Sequence, residues 1–250
     1  MSETKKDYQA KADLLKDRII LVTGAGDGIG AAAAKSFAAH GATVILLGRT
    51  TRKLEAVYDA IEKAGHPQPA IYPMNLEGAA PKDYEDLANT IEQEFGRLDG
   101  LLHNASLLGT LTPLGQYDVA QWSKVMQVNL NAPFLMTRAC MELLKKSDDA
   151  SVLFTTSSVG RKGRAYWGAY AVSKAANESM MEIWSDELET NTPVRVNSIN
   201  PGAVRTSMRA RAYPGEDPNT LSTPDAIMAT YLYLLGPDSK GVTGQQFDAQ

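Results

Sequence analysis

The chain has 250 residues, 44% of them hydrophobic and 22% charged, and its 25 Lys and Arg against 29 Asp and Glu leave a formal net charge of −4. That length and apolar content support one large domain with a substantial core, while the acidic balance argues against a nucleic-acid partner, which needs a basic footprint. The single cysteine, Cys140, excludes an intrachain disulfide and points to a reducing compartment.

Residues 1–16 read as a polar N-terminal extension without the apolar core of a secretory signal. No apolar run approaches bilayer length, so a cytoplasmic location without a membrane partner is expected. From Asp17 onward, short apolar runs alternate with amphipathic segments. Arg18–Thr23, Thr43–Leu47, Ala70–Met74, Leu98–Leu102, Ser151–Thr155 and Val194–Ile199 have the continuous apolar character of strands covered on both faces. Ile29–His40, Arg52–Ala64 and Pro81–Phe95 are helical patterns, each stopped by a glycine. Longer helices are expected over Ala120–Lys146 and Ala169–Thr190, and a last strand near Thr243–Gln250. Cys140 falls in the apolar stretch Phe134–Leu144 and reads as a buried hydrophobe rather than a nucleophile. Regular β-α-β alternation predicts an α/β fold: one Rossmann-type, doubly wound parallel sheet of about seven strands with helices on both faces. No repeat or linker divides residues 17–250. Only 205–223, rich in Pro, Gly, Arg and Asp, reads as a loop or short lid.

The first strand runs into Thr23-Gly24-Ala25-Gly26-Asp27-Gly28-Ile29-Gly30 and then directly into a strong helix former, Ala31–Ala39. Glycines let backbone approach a pyrophosphate closely, and the free N–H groups of the helix start face the anion. The alternative is a Gly-rich turn closing a βα unit without a ligand. At the end of the second strand, where an NAD-preferring site places an acidic residue, stand Gly48 and Arg49. A guanidinium fork suits a 2′-phosphate, with Thr50 and Arg52 as further donors. NADP(H) is therefore favoured over NAD(H), the alternative being a solvated arginine at a helix start.

Tyr170 and Lys174 are four apart on a helix and share a face. An ammonium beside a phenol stabilises phenolate, so Lys174 is expected to lower the Tyr170 pKa toward neutrality. Tyr166 lacks such a partner, since Tyr170 stands four positions on. The three histidines, His40, His66 and His103, show no metal-ligand spacing with one another or with Cys140, and no metal is expected.

Six motifs stand in register: Thr23–Gly30; Leu102-His103-Asn104-Ala105-Ser106; Asn129 in Val128-Asn129-Leu130-Asn131; Ser157, thirteen residues before Tyr170; Tyr170-Ala171-Val172-Ser173-Lys174; and Asn200-Pro201-Gly202-Ala203-Val204-Arg205-Thr206. Together they resemble the short-chain dehydrogenase/reductase family over roughly Asp17 to Gly244, with the pattern closest to the bacterial YciK-like oxidoreductases. The resemblance implies that Gly24, Asp27, Gly28, Ile29 and Gly30 bind the cofactor pyrophosphate side. Asn75 then meets adenine, Asn104 and Ala105 line the cofactor, and Pro201, Gly202, Val204 and Thr206 border the nicotinamide end. It also implies that Tyr170 exchanges the proton, Lys174 holds the ribose, Ser157 bonds the substrate oxygen and Asn129 positions a water reaching Lys174. Three positions depart from the family pattern: Ser106 for a glycine, Asn75 for an aspartate, and the C-terminal ending.

The expected activity is hydride transfer between NADP(H) and a small carbonyl or alcohol. The alternatives are an idle NADP(H)-sensing or scaffold protein, or a lyase or epimerase on a related fold. Arg161, Lys162, Arg164, Arg205, Arg209 and Arg211 form either a basic rim for an anionic substrate or a solvated loop. Trp167 and Met208 could give an apolar wall. The resemblance implies a homodimer or homotetramer through Ala120–Lys146 and Ala169–Thr190. Met180, Met181, Ile183, Trp184 and Leu188 wrap more than one helix face, which packing inside one subunit would equally explain.

Overall fold

Alternation along each strand sends side chains to opposite faces of a sheet, and here both faces are apolar. In β2 (Ile19–Thr23) Ile20 and Val22 enter one buried cluster and Leu21 the other. In β3 (Thr43–Gly48) Val44 and Leu46 divide in the same way from Ile45 and Leu47. A strand hidden on both faces needs a crossover helix to reach its parallel neighbour, and the chain supplies one each time. The computed structural model describes residues 3–250.

The chain begins with β1 (Glu3–Thr4), and β2 and β3 are joined by α1 (Gly28–Ala39). There follow α2 (Thr51–Lys63), β4 (Ala70–Pro73), α3 (Pro81–Phe95), β5 (Gly100–His103), α4 (Val119–Met126) and α5 (Ala132–Lys145). The second half comprises β6 (Ala150–Thr155), α6 (Ser158–Arg161), α7 (Gly168–Leu188), β7 (Val194–Asn200), α8 (Ser207–Ala212), α9 (Met228–Leu235) and β8 (Gln246–Asp248). Among the described residues the sheet is parallel throughout, in the order β1-β8-β7-β6-β5-β2-β3-β4. α1, α2 and α9 cover one face, and α3, α5 and α7 the other.

β3 lies on one side of β2 and β5 on the other, so the chain reverses its direction of winding at β2. A crevice opens beyond the strand ends at such a switch point. The opposite end of the sheet is closed by a charge cluster. Arg195 of β7 grips Asp149 (Nε–Oδ1 2.9 Å), and Arg18 reaches the same carboxylate at 3.0 Å. Burial pushes the Asp149 carboxyl up, but the two guanidiniums outweigh it and hold the group below the usual carboxylate range.

The structure corrects three sequence expectations. The sheet has eight strands rather than about seven, because Glu3–Thr4 pairs with β8 in the register Glu3↔Phe247. Residues 3–16 accordingly join the domain and are not a separate polar extension: Leu14 and Leu15 are buried in the core, and Tyr8 packs edge-on to Tyr233 while donating to Asp238 at 2.7 Å. Residues 1 and 2 of that extension lie outside the described residues. Finally, the helix expected over Ala120–Lys146 is split into α4 and α5 by a π-helical turn, Gln127–Asn131, whose wider winding carries Asn129.

Candidate active site

The end of β2 and the start of α1 form the floor of the crevice. Gly24 has φ +67° and lies against Ala105: a Cβ there would sit 3.0 Å from the Ala105 Cα. A Cβ on Gly30 would collide with the Gly24 carbonyl oxygen at 2.2 Å, so the glycines hold helix and strand in direct backbone contact. Asp27 caps α1 through Gly28 N (2.7 Å), which leaves the Ile29 and Gly30 amides among the unpartnered donors of the first turn. The Asp27 carboxylate also pairs with Lys53 at 2.6 Å, and that bond holds it below the usual carboxylate range. Thr23 Oγ1 stitches the next strand alongside by accepting from Asn104 N (2.9 Å) and Ala105 N (3.0 Å).

The crevice is a cavity of about 550 Å³. Of the residues singled out from sequence, it is bordered by Gly24, Asp27, Gly28 and Ile29 at the helix start, and by Arg49 and Asn75 at one end. Asn104, Ala105, Ser157, Tyr170 and Lys174 border its middle, with Pro201, Gly202, Val204 and Thr206 on the far wall. Arg49 and Asn75 are exposed at the mouth. Gly30 and Asn129 lie behind the wall. Arg52 is not part of the lining, whereas its neighbour Lys53, in the first turn of α2, is.

At the centre, Ser157 stands at the N-terminal cap of α6, two residues beyond β6, and α7 brings Tyr170 and Lys174 to the same part of the cavity. Both α7 side chains are buried. Ser157 and Tyr170 stand together on the cavity lining, the serine close enough for its hydroxyl to act on the phenol. Lys174 Nζ donates to the Thr155 carbonyl at 2.7 Å and stands 5.6 Å from the centre of the Tyr170 ring. The expected lowering of the Tyr170 pKa is not what this geometry produces. Burial pushes the phenol up to about 12, with the nearby Ser157 hydroxyl opposing it. Burial also brings Lys174 down to about 8, against the pull of the Glu178 carboxylate.

Asn129 is fully enclosed. Its side chain accepts from Leu107 N (2.7 Å) and donates to Leu107 O (2.9 Å) and Ser173 Oγ (3.1 Å), while its carbonyl accepts from Asn177. It fastens the Ser106–Leu108 wall to α7, and the π turn gives it the reach to do so. His103 bonds Thr137 at 2.8 Å, and burial, aided by the Lys174 charge, takes it down to about 3, so it is neutral. Cys140 is buried, and burial raises its thiol to about 12.

Two cations of the basic rim are already paired within the protein. Arg161 turns inward to Glu178 (3.2 Å), Asp248 (2.9 Å) and the Phe247 carbonyl (2.9 Å). Arg209 is held in a fork by Glu216, with both bonds at 2.6 Å. Lys162, Arg164 and Arg205 lie outside the lining, which Arg211 joins. The far wall depends on a residue that no motif marks: Gln250 donates to the Pro201 carbonyl at 2.6 Å and accepts from Ser222 at 2.8 Å.

A dinucleotide fits this cavity on the chain's own features. A glycine cradle and helix start face its floor, a guanidinium and an ammonium stand at one end, and the buried hydroxyls of Ser106 and Thr156 line it without a protein partner. Among the described residues, no group of three or more His, Cys, Asp and Glu could hold a metal ion, and no helix is long and apolar enough to cross a membrane.

A family model described as short chain dehydrogenase matches residues 18–217. Over 243 residues the chain is 52% identical to the uncharacterised oxidoreductase YciK of Escherichia coli (strain K12), covering 97% of this chain and 96% of that protein. A short chain dehydrogenase structure from Pseudomonas syringae superposes with a TM-score of 0.96 at 59% identity, covering 98% of this chain and 99% of the other. A second, from Shigella flexneri 2a str. 301 and complexed with NADP, has a TM-score of 0.94 at 52% identity, covering 96% and 100%.

Proposed function

The chain belongs to the short-chain dehydrogenase family, and from that premise we propose that it moves hydride between NADP(H) and a small carbonyl or alcohol, with Tyr170 as general acid and base. The observation that carries this reading is the convergence of Ser157, Tyr170 and Lys174 at the centre of the cavity, with Lys174 Nζ 5.6 Å from the tyrosine ring.

The Ile29 amide would meet the pyrophosphate, Gly24 and Gly28 keep backbone bulk away from it, and Gly30 serves by packing the helix start against the Gly24 carbonyl. Arg49, helped by Thr50 and Lys53, would take the 2′-phosphate, which favours NADP(H) over NAD(H). Asn75 would border adenine. Asn104 and Ala105 would border the middle of the cofactor, and Pro201, Gly202, Val204 and Thr206 its nicotinamide end. When bound, NADPH supplies the hydride for the carbonyl carbon. Ser157 Oγ donates to the carbonyl oxygen, and Tyr170 Oη delivers a proton there as negative charge builds. The Lys174 ammonium stabilises the phenolate left behind. In the reverse direction that phenolate takes the alcohol proton. Asn129 acts as a positioning residue through Leu107 and Ser173.

The same reading makes the protein a cytoplasmic homo-oligomer, a homodimer or homotetramer. Phe134 on α5 and Val172 and Ile183 on α7 are 43%, 42% and 56% exposed, and Val172 and Ile183, three turns apart, share a face. The segment 205–223, which carries α8, serves as the substrate lid.

The test follows NADPH consumption at the nicotinamide absorbance band against a carbonyl panel. Tyr170→Phe should cut turnover by about 10²–10⁴-fold while leaving NADPH binding, read by fluorescence, intact. Tight NADPH binding by the wild type without consumption of any carbonyl would instead leave a sensor or scaffold.

A further inference from the structure

The lid side of the cavity differs in character from the cofactor side. Trp167 packs against Tyr170 (ring centroids 5.8 Å apart) and Tyr213 (5.9 Å), and Met208 and Leu108 join the same apolar cluster. This wall is braced. Trp167 is flanked by Tyr166 at φ 75°, a conformation that surrounding contacts must enforce, and by Gly168 at φ 35°, which glycine adopts freely. The Tyr166 carbonyl accepts from Thr112 N at 3.1 Å, and a Cβ on Gly168 would lie 2.5 Å from the Tyr117 ring.

The cation nearest this wall is already matched. Arg209 lies over Tyr213 at 3.8 Å and is gripped by both Glu216 oxygens, so an anionic substrate would have to displace a bidentate carboxylate. Arg211, the other lid cation on the lining, is exposed at the outer edge, where water and salt screen it.

We infer that the non-reacting part of the substrate is a neutral aromatic or branched apolar group seated on Trp167, Tyr213 and Met208, and that Arg209 shapes this wall rather than receiving an anion. The inference rests on the carbonyl-reductase reading above and specifies its substrate class.

Three activated ketones separate the possibilities: methyl benzoylformate (aromatic, neutral), benzoylformate (aromatic, anionic) and methyl pyruvate (small, neutral). With NADPH, kcat/KM for methyl benzoylformate should exceed each of the others by about tenfold or more, the scale of a filled against an unfilled apolar pocket. Tyr213→Ala should raise KM for the aromatic ester by a several-fold larger factor than KM for methyl pyruvate, since a truncated wall costs binding mainly where it is touched. Equal or better use of benzoylformate, or a uniform loss with all three ketones, would overturn the inference while leaving the reductase reading standing. If the wild type binds NADPH but reduces none of them, the reductase reading fails. The seat is then judged by equilibrium binding of the same compounds to the NADPH complex. Methyl benzoylformate binding more tightly than methyl pyruvate, with that preference lost in Trp167→Ala, supports the seat; no difference overturns it.

Discussion

The Lys174 ammonium donates to the Thr155 carbonyl at 2.7 Å, so the helix that carries Tyr170 is fastened to the end of β6. The bond satisfies a buried cation without a carboxylate in direct contact, and it leaves the charge beside the tyrosine ring. Lys174 is therefore the first group of the pair to change state with pH: burial places it at about 8, and Tyr170 at about 12. Carbonyl reduction needs a protonated tyrosine, and the lysine charge stabilises the phenolate it becomes. Reductive kcat/KM should accordingly hold level up to about pH 8 and decline above it, while alcohol oxidation, which needs the phenolate beside a charged lysine, gains with rising pH only up to about the same point. A pH–rate profile checks this. Lys174→Met should lose the decline together with about 10²-fold or more of the rate, and a wild-type profile flat to pH 10 would contradict it.

Arg49 and Lys53 give the cofactor end its positive charge. Asp27 complicates that end, because its carboxylate is neutralised only by Lys53 at 2.6 Å. Arg49→Asp should abolish a preference for NADPH over NADH. Lys53→Ala should weaken NADPH by about tenfold, more than NADH, because it removes a cation and frees an anion near the phosphates. Fluorescence titration of both nucleotides reads the ratio. The double variant Asp27→Asn/Lys53→Ala should recover part of the loss, and no recovery would place the Lys53 effect elsewhere.

Asp149 is shared by Arg18 and Arg195, with its side chain only 14% exposed. Its folded pKa is below the unfolded value, so its stabilisation is present above about pH 4 and lost as pH falls through the folded pKa. Asp149→Asn leaves the Arg195 guanidinium buried without a counter-charge and should cost about 3–5 kcal/mol. Urea unfolding at pH 7 and pH 3 measures both: the variant's deficit should be large at pH 7 and shrink in acid. An equal deficit at both values would rule out the charge as its cause.

Gln250 clips the Asn200–Ala203 turn to Ser222. Gln250→Ala should loosen 204–223 without unfolding the sheet, since the side chain is exposed and each lost bond is worth about 1 kcal/mol. Amide exchange in 204–223 should quicken about fivefold to tenfold while β6 and β7 remain protected. KM for a carbonyl substrate should rise more than kcat falls. Unchanged exchange would show that the clip does not hold the lid.

The elements whose character is local are legible in the chain. Continuous apolar strands, glycine stops and the Gly24–Gly30 turn state the doubly wound sheet directly, and the four-residue step from Tyr170 to Lys174 puts both on one helix face. The split in the helix expected over Ala120–Lys146 was not legible, because the π turn is stabilised by Asn129 reaching Leu107 and Ser173, 22 and 44 residues away. β1 was not legible either: two residues acquire strand identity only by pairing with β8 across the whole length of the chain.

The fold class is written in the chain's short-range patterning, and the family in motifs that resemble those of its relatives; most residues named from those motifs border the cavity, though Gly30 and Asn129 stand behind it. The tertiary structure alone decided the electrostatic state of the site's side chains. Tyr170 is raised rather than lowered because burial of the phenol outweighs the opposing influence of the Ser157 hydroxyl. Arg161 and Arg209 are removed from the basic rim because Glu178, Asp248 and Glu216 happen to face them. Burial and partner choice depend on which distant segments pack together, and a list of residues in order does not contain that.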